Sequence, residues 1–390
     1  MTEELSIKNG NILDNKSVYT QEVDDLIYLL SCSVNDIKPD IERINHMNLD
    51  SVCDLALFHS VAATVSFAIE RVIELPYRFD QIKKKTIRKL ALFDIERSKI
   101  VSCFDKERIW YLPLKGIVLK DYYPKYGMRE MSDNDILCDS SRMQNVKDIM
   151  EGLGYTCDEF GEINHDVYSK DIIAFEIHRS LFSKSEYKEY FDYYKDIKSK
   201  LICCNNSFEY RFKIEDLYIY LLTHTHKHYY YGGTGIRSLL DTYVFLKRHS
   251  YELDWSYLNQ ELASLSLIEF EKMNRELSQK VFSGTAIDDE EKQFFMYYVS
   301  SGAYGIGDHL WKNNLSKNLS GDDSENAKRN YLFDRVFING EVLKKRYPFF
   351  YRYKIFLPFL YLYRLIKAVF IKPKTVLAEY KRIKQFKYNK

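Results

Sequence analysis

Long apolar runs are missing from this chain. The nearest candidate, Ile355 to Tyr363, is nine uncharged residues that include Pro358 and end at Lys354 and Arg364, about half of the roughly 18 a membrane-spanning helix needs. CxxC spacing is also missing. The seven cysteines, Cys32, Cys53, Cys103, Cys138, Cys157, Cys203 and Cys204, are odd in number, so they read as buried free thiols of a reducing compartment rather than a disulfide framework. The opening stretch MTEELSIKNGN is polar and acidic, unlike a signal peptide. No internal repeat is found, and no nucleophile elbow supports Ser-His-Asp hydrolysis. These features make the cytoplasm the expected localisation.

What the chain does contain is enough apolar material for a sizeable core. Of its 390 residues, 46% are apolar and 29% charged, which excludes a disordered chain and allows two or three domains. Its 33 tyrosines combine a large buried area with a hydroxyl suited to wet clefts. Net charge is only +1, but it is unevenly spread. Residues 341–390 hold 14 lysines and arginines against Glu341 and Glu379, a net of +12, which leaves −11 on the remainder. A basic tail on an acidic body suggests that the tail meets an anionic surface.

Periodicity divides the chain. Residues 1–16 read as a disordered N-terminus. Residues 17–106 are a helical region, with apolar positions three and four apart in DDLIYLLSCSV and TIRKLALFDIERSKIVSCF and with Pro76 separating two helices. Residues 107–213 read as an α/β core: a strand in IWYLPL, a helix in KGIVLKDYY, a strand in DILCD, a helix in SRMQNVKDIMEGLG, and strands in YTCDEF and DIIAFEIH. Residues 214–304 return to helix, 305–340 read as a mobile loop and connector, and 341–390 form a basic, aromatic, helical tail. The expected fold class is α+β, mostly α, with a small mixed sheet flanked by helices.

The chemistry-bearing stretch is MREMSDNDILCD, Met128 to Asp139. Residues two apart on a strand share a face, so Asp133 and Asp135 project together, a spacing suited to carboxylates gripping one or two divalent ions. Glu176 lies in DIIAFEIH, where Ile172, Ala174, Glu176 and His178 share one face and Ile173, Phe175 and Ile177 the other. A carboxylate in so apolar a strand is costly unless paired or metal-bound. If that strand lies beside DILCD, Glu176 becomes a third ligand; otherwise it is an edge residue facing water. Lys115-Gly116 ends a strand and opens a helix, where phosphate is favoured and lysine adds a point charge; the plainer reading is an ordinary turn. Arg129 has the fork to hold a triphosphate bidentately, or else makes a surface salt bridge.

LKGIVLKDYYPKYGMREMSDNDILC followed by FEIHRSLF resembles the uncharacterised nucleotidyltransferase family of the DNA polymerase beta-like superfamily, closely over 109–182 and more weakly over 215–245. The resemblance implies Asp133, Asp135 and Glu176 as catalytic, metal-binding carboxylates for Mg²⁺, two ions, with Mn²⁺ as a substitute. It implies a nucleoside triphosphate held by Lys115, Gly116 and Arg129, with Ser132 and His178 beside them. The reaction would be attack of an acceptor hydroxyl on the α-phosphate, with Glu176 taking the proton. Members of the family often accompany cell-surface polysaccharide genes, which favours a glycan precursor as acceptor. The alternatives are a toxin-type transferase acting on RNA or protein, and a non-catalytic binding module that keeps the fold. The chain departs from the superfamily in having Asn134 between the aspartates, where an apolar residue is usual; one polar residue is tolerable there if that face is near solvent.

Other residues carry weaker signals. His224 and His228 share a helix face at i and i+4 while His226 points elsewhere, and no third zinc ligand is evident. His165, in INHDVY, is expected on a loop that reaches the cleft. Arg237 and Asp241 form an intrahelical pair or brace the site wall. Gly232-Gly233-x-Gly235 follows a helix, so a dinucleotide loop fails its structural test. For the tail, docking on the body ranks first, peripheral contact with the inner membrane surface second, and nucleic acid third.

Overall fold

The computed structural model describes residues 20–161, 164–204, 207–305, 337, 343 and 347–371. The N-terminal segment 1–16, and the connector 305–340 apart from Gly305 and Phe337, lie outside the described residues. Residues 20–229 and 233–305 form one compact unit; 230–232 and the described residues from 337 onward belong to a second.

The larger unit opens with helices α1 (Gln21–Val34), α2 (Ile41–His46), α3 (Leu49–Phe58), α4 (Ala62–Ile69) and α5 (Tyr77–Lys106). Every residue of α4 is buried, as expected of a helix that is apolar all round. Pro76 stands at the N-cap of α5, where its missing N–H costs nothing. The chain then enters the sheet: β1 (Tyr111–Pro113), a single turn α6 (Gly116–Leu119) running into a 3₁₀ turn, β2 (Asn134–Cys138), α7 (Met143–Gly152), β3 (Thr156–Glu159), β4 (His165–Lys170) and β5 (Ile173–His178). The spatial order is β1-β2-β5-β4-β3. Only β2 and β5 run parallel; the other pairs are antiparallel, so the sheet is mixed, as expected.

Two features differ from the sequence reading. KGIVLKDYY is one helical turn, not a full helix. His165 sits on β4 rather than on a loop. HDVYSK alternates polar residues on both faces and so shows no apolar period; it becomes a strand because β5 pairs with it across the turn at Asp171 and Ile172. Asp171 takes φ +52° there, a left-handed conformation that aspartate tolerates. A second small sheet, β6 (Leu201–Cys203) with β7 (Tyr210–Phe212), follows α8 (Lys188–Tyr194). Helices α9 (Ile214–Tyr231), α10 (Ile236–His249), α11 (Trp255–Ser264), α12 (Ile268–Ser283) and α13 (Asp289–Ser301) complete the unit. In the second unit, α14 (Pro348–Arg352) and α15 (Leu357–Ile371) are the described α-helices.

Period-two alternation decides what each sheet face does. Tyr111, Ile136, Cys138, Tyr168, Phe175 and Ile177 face α5 and α7, packing on Leu90, Phe93, Ile100, Phe104, Val146 and Met150. Fully burying side chains of this size contributes about 1.5–3 kcal/mol each. Asn134 shares this face and is wholly buried, so nearness to solvent is not what accommodates it. Its Oδ1 accepts from Arg97 Nη1 at 3.0 Å, which explains how a polar side chain survives there. The opposite parity, Asp135 and Leu137 on β2 with Ala174, Glu176 and His178 on β5, faces away from this cluster. No disulfide joins the described cysteines; Cys32, Cys53 and Cys138 are buried, whereas Cys203 is exposed.

A candidate active site on the polar face of the sheet

The β2–β5 register builds the site. Asp135 lies directly opposite Glu176 on the parallel neighbour, and Leu137 opposite His178. Across the antiparallel pair, His165 of β4 lies opposite His178. Asp133 precedes β2 by one residue and keeps the parity of Asp135. A cleft of about 380 Å³ is lined by Asp133, Asp135, His165, Glu176 and His178 together with Lys115, Gly116, Arg129, Ser132, and side chains of α9 and α10. All of the sequence-predicted site residues therefore meet in one cavity.

Their contacts are specific. Asp135, 5% exposed, accepts at Oδ1 from Lys115 Nζ at 2.6 Å and from His178 Nε2 at 3.0 Å. Burial opposes its charge, but Lys115 and then His178 outweigh it and hold the carboxyl well below its usual range. Lys115 responds reciprocally: burial works against the ammonium, but Asp135 outweighs it and raises the pKa. The lysine also adopts φ +45° and ψ −115°, a strained backbone for a side-chain-bearing residue and of a kind that clusters at functional sites. At Asp133 the attraction of Lys115 and Arg237 is outweighed. Burial, followed by repulsion from Asp135 and Glu176, pushes it up to about 6. Burial would raise Glu176 as well, but the His178 ring beside it prevails and its pKa is lowered.

Glu176 Oε2 lies 3.6 Å from His178 Nε2 and 3.9 Å from His165 Nε2. These three are the group of metal-capable atoms that converge most tightly among the described residues, all within 4.8 Å of one another. Asp133 and Asp135 adjoin that group without joining it, because Asp135 is turned to Lys115. The donor set of three carboxylates and two imidazoles in one half-buried cleft fits a divalent cation. The mutual repulsion registered at Asp133 is what such a cation would relieve.

Arg129 sits differently from the sequence expectation. It is 8% exposed and gives Nε and Nη2 to the two carboxylate oxygens of Asp241, at 2.8 and 2.9 Å. The edge of its fork that would take a phosphate bidentately is thus held by protein. Asp241 also accepts from Tyr123 at 2.7 Å; it braces the site wall through Arg129 rather than pairing with Arg237. Gly116 makes this packing feasible, since a Cβ there would stand 2.5 Å from Arg129 Nη1. Gly235 likewise serves close approach, its hypothetical Cβ falling 2.6 Å from the Gly302 carbonyl carbon, and this accounts for the glycine-rich turn without phosphate.

On α9, His224 and His228 touch through their Nε2 atoms at 3.1 Å. Burial lowers both, His228 to about 3, so they line the cleft as neutral rings. His226 instead meets the Tyr190 hydroxyl. Sequence reasoning missed Lys227, which lines the cleft with its pKa lowered by burial and by Lys115, and Tyr304, which lines the cleft with Arg237 stacked over its ring at 5.6 Å. The one available signal for Lys227 was its place between histidines in HTHKH.

With this geometry in view, comparison with known proteins identifies the class. Residues 45–283 match the family described as uncharacterised nucleotidyltransferase. The chain belongs to that family and is a nucleotidyl-transferring enzyme, whose donor is a nucleoside triphosphate. No curated protein and no solved structure gave a significant match.

Proposed function

We propose that the enzyme transfers a nucleoside monophosphate from a nucleoside triphosphate to an acceptor hydroxyl in a reaction dependent on Mg²⁺ or Mn²⁺. The observation that carries this reading is the direct pairing of Asp135 with Glu176 across parallel strands on the cleft face, with Asp133 two residues away. Asp133, Asp135 and Glu176 would hold the cation, with His178 and His165 beside Glu176. The bound cation would polarise the phosphate and stabilise the departing pyrophosphate. The carboxylate oxygens suit Mg²⁺ and Mn²⁺ alike.

The protein side chains supply the rest. Lys115 reaches the site on a single-turn loop and carries a full charge, so it can leave Asp135 for the donor phosphates. Arg129, fixed by Asp241, contributes its remaining Nη1 edge and a positive field; Gly116 and Ser132 form the wall beside it. Lys227 and Arg237, on the covering helices, add positive charge at the rim. Such preorganised charge is the main lever in phosphoryl transfer. The acceptor we favour is a glycan precursor.

The test is mass spectrometry of candidate acceptors after incubation with each nucleoside triphosphate and Mg²⁺ or Mn²⁺. The reading requires the added mass of one nucleoside monophosphate, lost in Asp135→Asn. Transfer to RNA or protein in place of a glycan would replace the acceptor. Transfer that persists in Asp135→Asn would overturn the site.

A further inference from the structure

We propose that the C-terminal helical segment binds the surface of an anionic phospholipid bilayer. In the second unit, the start of α15 is turned inside out relative to an ordinary surface helix. Leu360 is buried, yet Ile355 is 80% exposed, Phe359 66%, Leu362 56% and Tyr363 56%. Phe359, Leu362 and Tyr363 lie three and four residues apart and so share one face of α15, while Ile355 stands on the 3₁₀ turn Lys354–Phe356 that precedes it. The outer face of a helix on a soluble body is normally polar, and a contiguous apolar patch of this kind marks an interaction site.

The charge around the patch names the partner. Arg352 and Lys354 are exposed beside it, no acidic residue lies between Glu341 and Glu379, and residues 341–390 carry +12. Aromatic and aliphatic side chains flanked by Arg352 and Lys354, in a segment of net positive charge, match a surface of acyl chains beneath anionic headgroups. A second copy of this chain is disfavoured, because two segments of +12 would be brought face to face. Nucleic acid is disfavoured too: Ile355 and Leu362 have no π-face on which bases could stack. No helix among the described residues is long and apolar enough to cross a membrane, so the segment lies along the surface.

Co-sedimentation of the full chain with phosphatidylcholine vesicles, with and without phosphatidylglycerol, tests this directly. Binding should require the anionic lipid and weaken when salt rises from about 0.1 M to about 0.5 M. Phe359→Ser combined with Leu362→Ser should lower partitioning by about tenfold or more, from the lost apolar burial. Both side chains are more than half exposed, so the melting temperature and nucleotide binding should stay as in the parent. Three results would each overturn the proposal: no binding to anionic vesicles, RNA binding that these substitutions abolish while vesicle binding is absent, or a stable dimer in solution that they dissociate.

Discussion

Replacing Lys115 by Met tests the centre of the site most sharply. Methionine keeps most of the side-chain length and removes the charge. Asp135 would then stand 5% exposed, with His178 Nε2 at 3.0 Å as its remaining hydrogen bond. Removing one partner of a buried ion pair costs about 3–5 kcal/mol, because the other charge is left uncompensated. The His178 bond offsets part of that, so a loss of roughly 2–4 kcal/mol is expected. The backbone strain at φ +45° is common to lysine and methionine and cancels. Urea unfolding at pH 7 measures the loss as a shift in midpoint at constant slope. Two additions make the result diagnostic. Asp135→Asn in the Lys115→Met background should recover most of the stability, since the stranded charge is gone. Mn²⁺ at a hundredfold excess over the variant's dissociation constant should stabilise Lys115→Met by about 2.7 kcal/mol, and the parent by less at the same concentration, because its lysine competes for Asp135. A loss under about 1 kcal/mol, or no recovery in the double variant, would refute the claim that this pair organises the cleft.

Three further outcomes follow from the same geometry. Asp133 has a pKa raised from 3.8 to about 6, so the fold retains a proton that the unfolded chain has released, and this stability is lost as pH rises through that window. Asp133→Asn should therefore raise stability at pH 8 by roughly 1–2 kcal/mol after discounting for partial exposure, while abolishing transfer; thermal melting and an activity assay check both halves. His59 is wholly buried, accepts from the Ile236 N–H at 3.3 Å and is lowered by burial to about 3. Below pH 6.5 the unfolded state gains a proton that the fold refuses, so stability should fall by about 1.4 kcal/mol per pH unit for this residue. Denaturation at pH 7 and pH 5 should show that slope, reduced in His59→Asn. Gly116→Ala places a Cβ 2.5 Å from Arg129 Nη1 and 3.2 Å from Met131 Cγ; the overpacking should cost about 1–3 kcal/mol and displace Arg129 from Asp241, visible as weaker nucleotide binding in calorimetry.

Strand periodicity alone was enough to read much of this molecule. In DIIAFEIH it sorted Ile173, Phe175 and Ile177 to the core and Glu176 and His178 to the other face, and the burial follows that division except at His178, which the cleft buries as well. Helical periodicity marked the flanking regions, since three- and four-residue spacing is also a local property. The polar strand β4 escaped notice because both of its faces carry polar residues, and its pairing comes from β5 rather than from itself. What accommodates Asn134 was not legible because its partner, Arg97, sits 37 residues away.

Side-chain alternation and helix period are written in neighbouring residues, so the chain announced its mostly helical α+β class and the two acidic strands without help. Which strands lie side by side, and in what register, depends on contacts between distant segments. Only the folded molecule sets Asp135 against Glu176, turns Lys115 back onto Asp135, and joins Arg129 to Asp241 across 112 residues. A local pattern can say which way a carboxylate points; the charge that answers it is chosen by long-range packing.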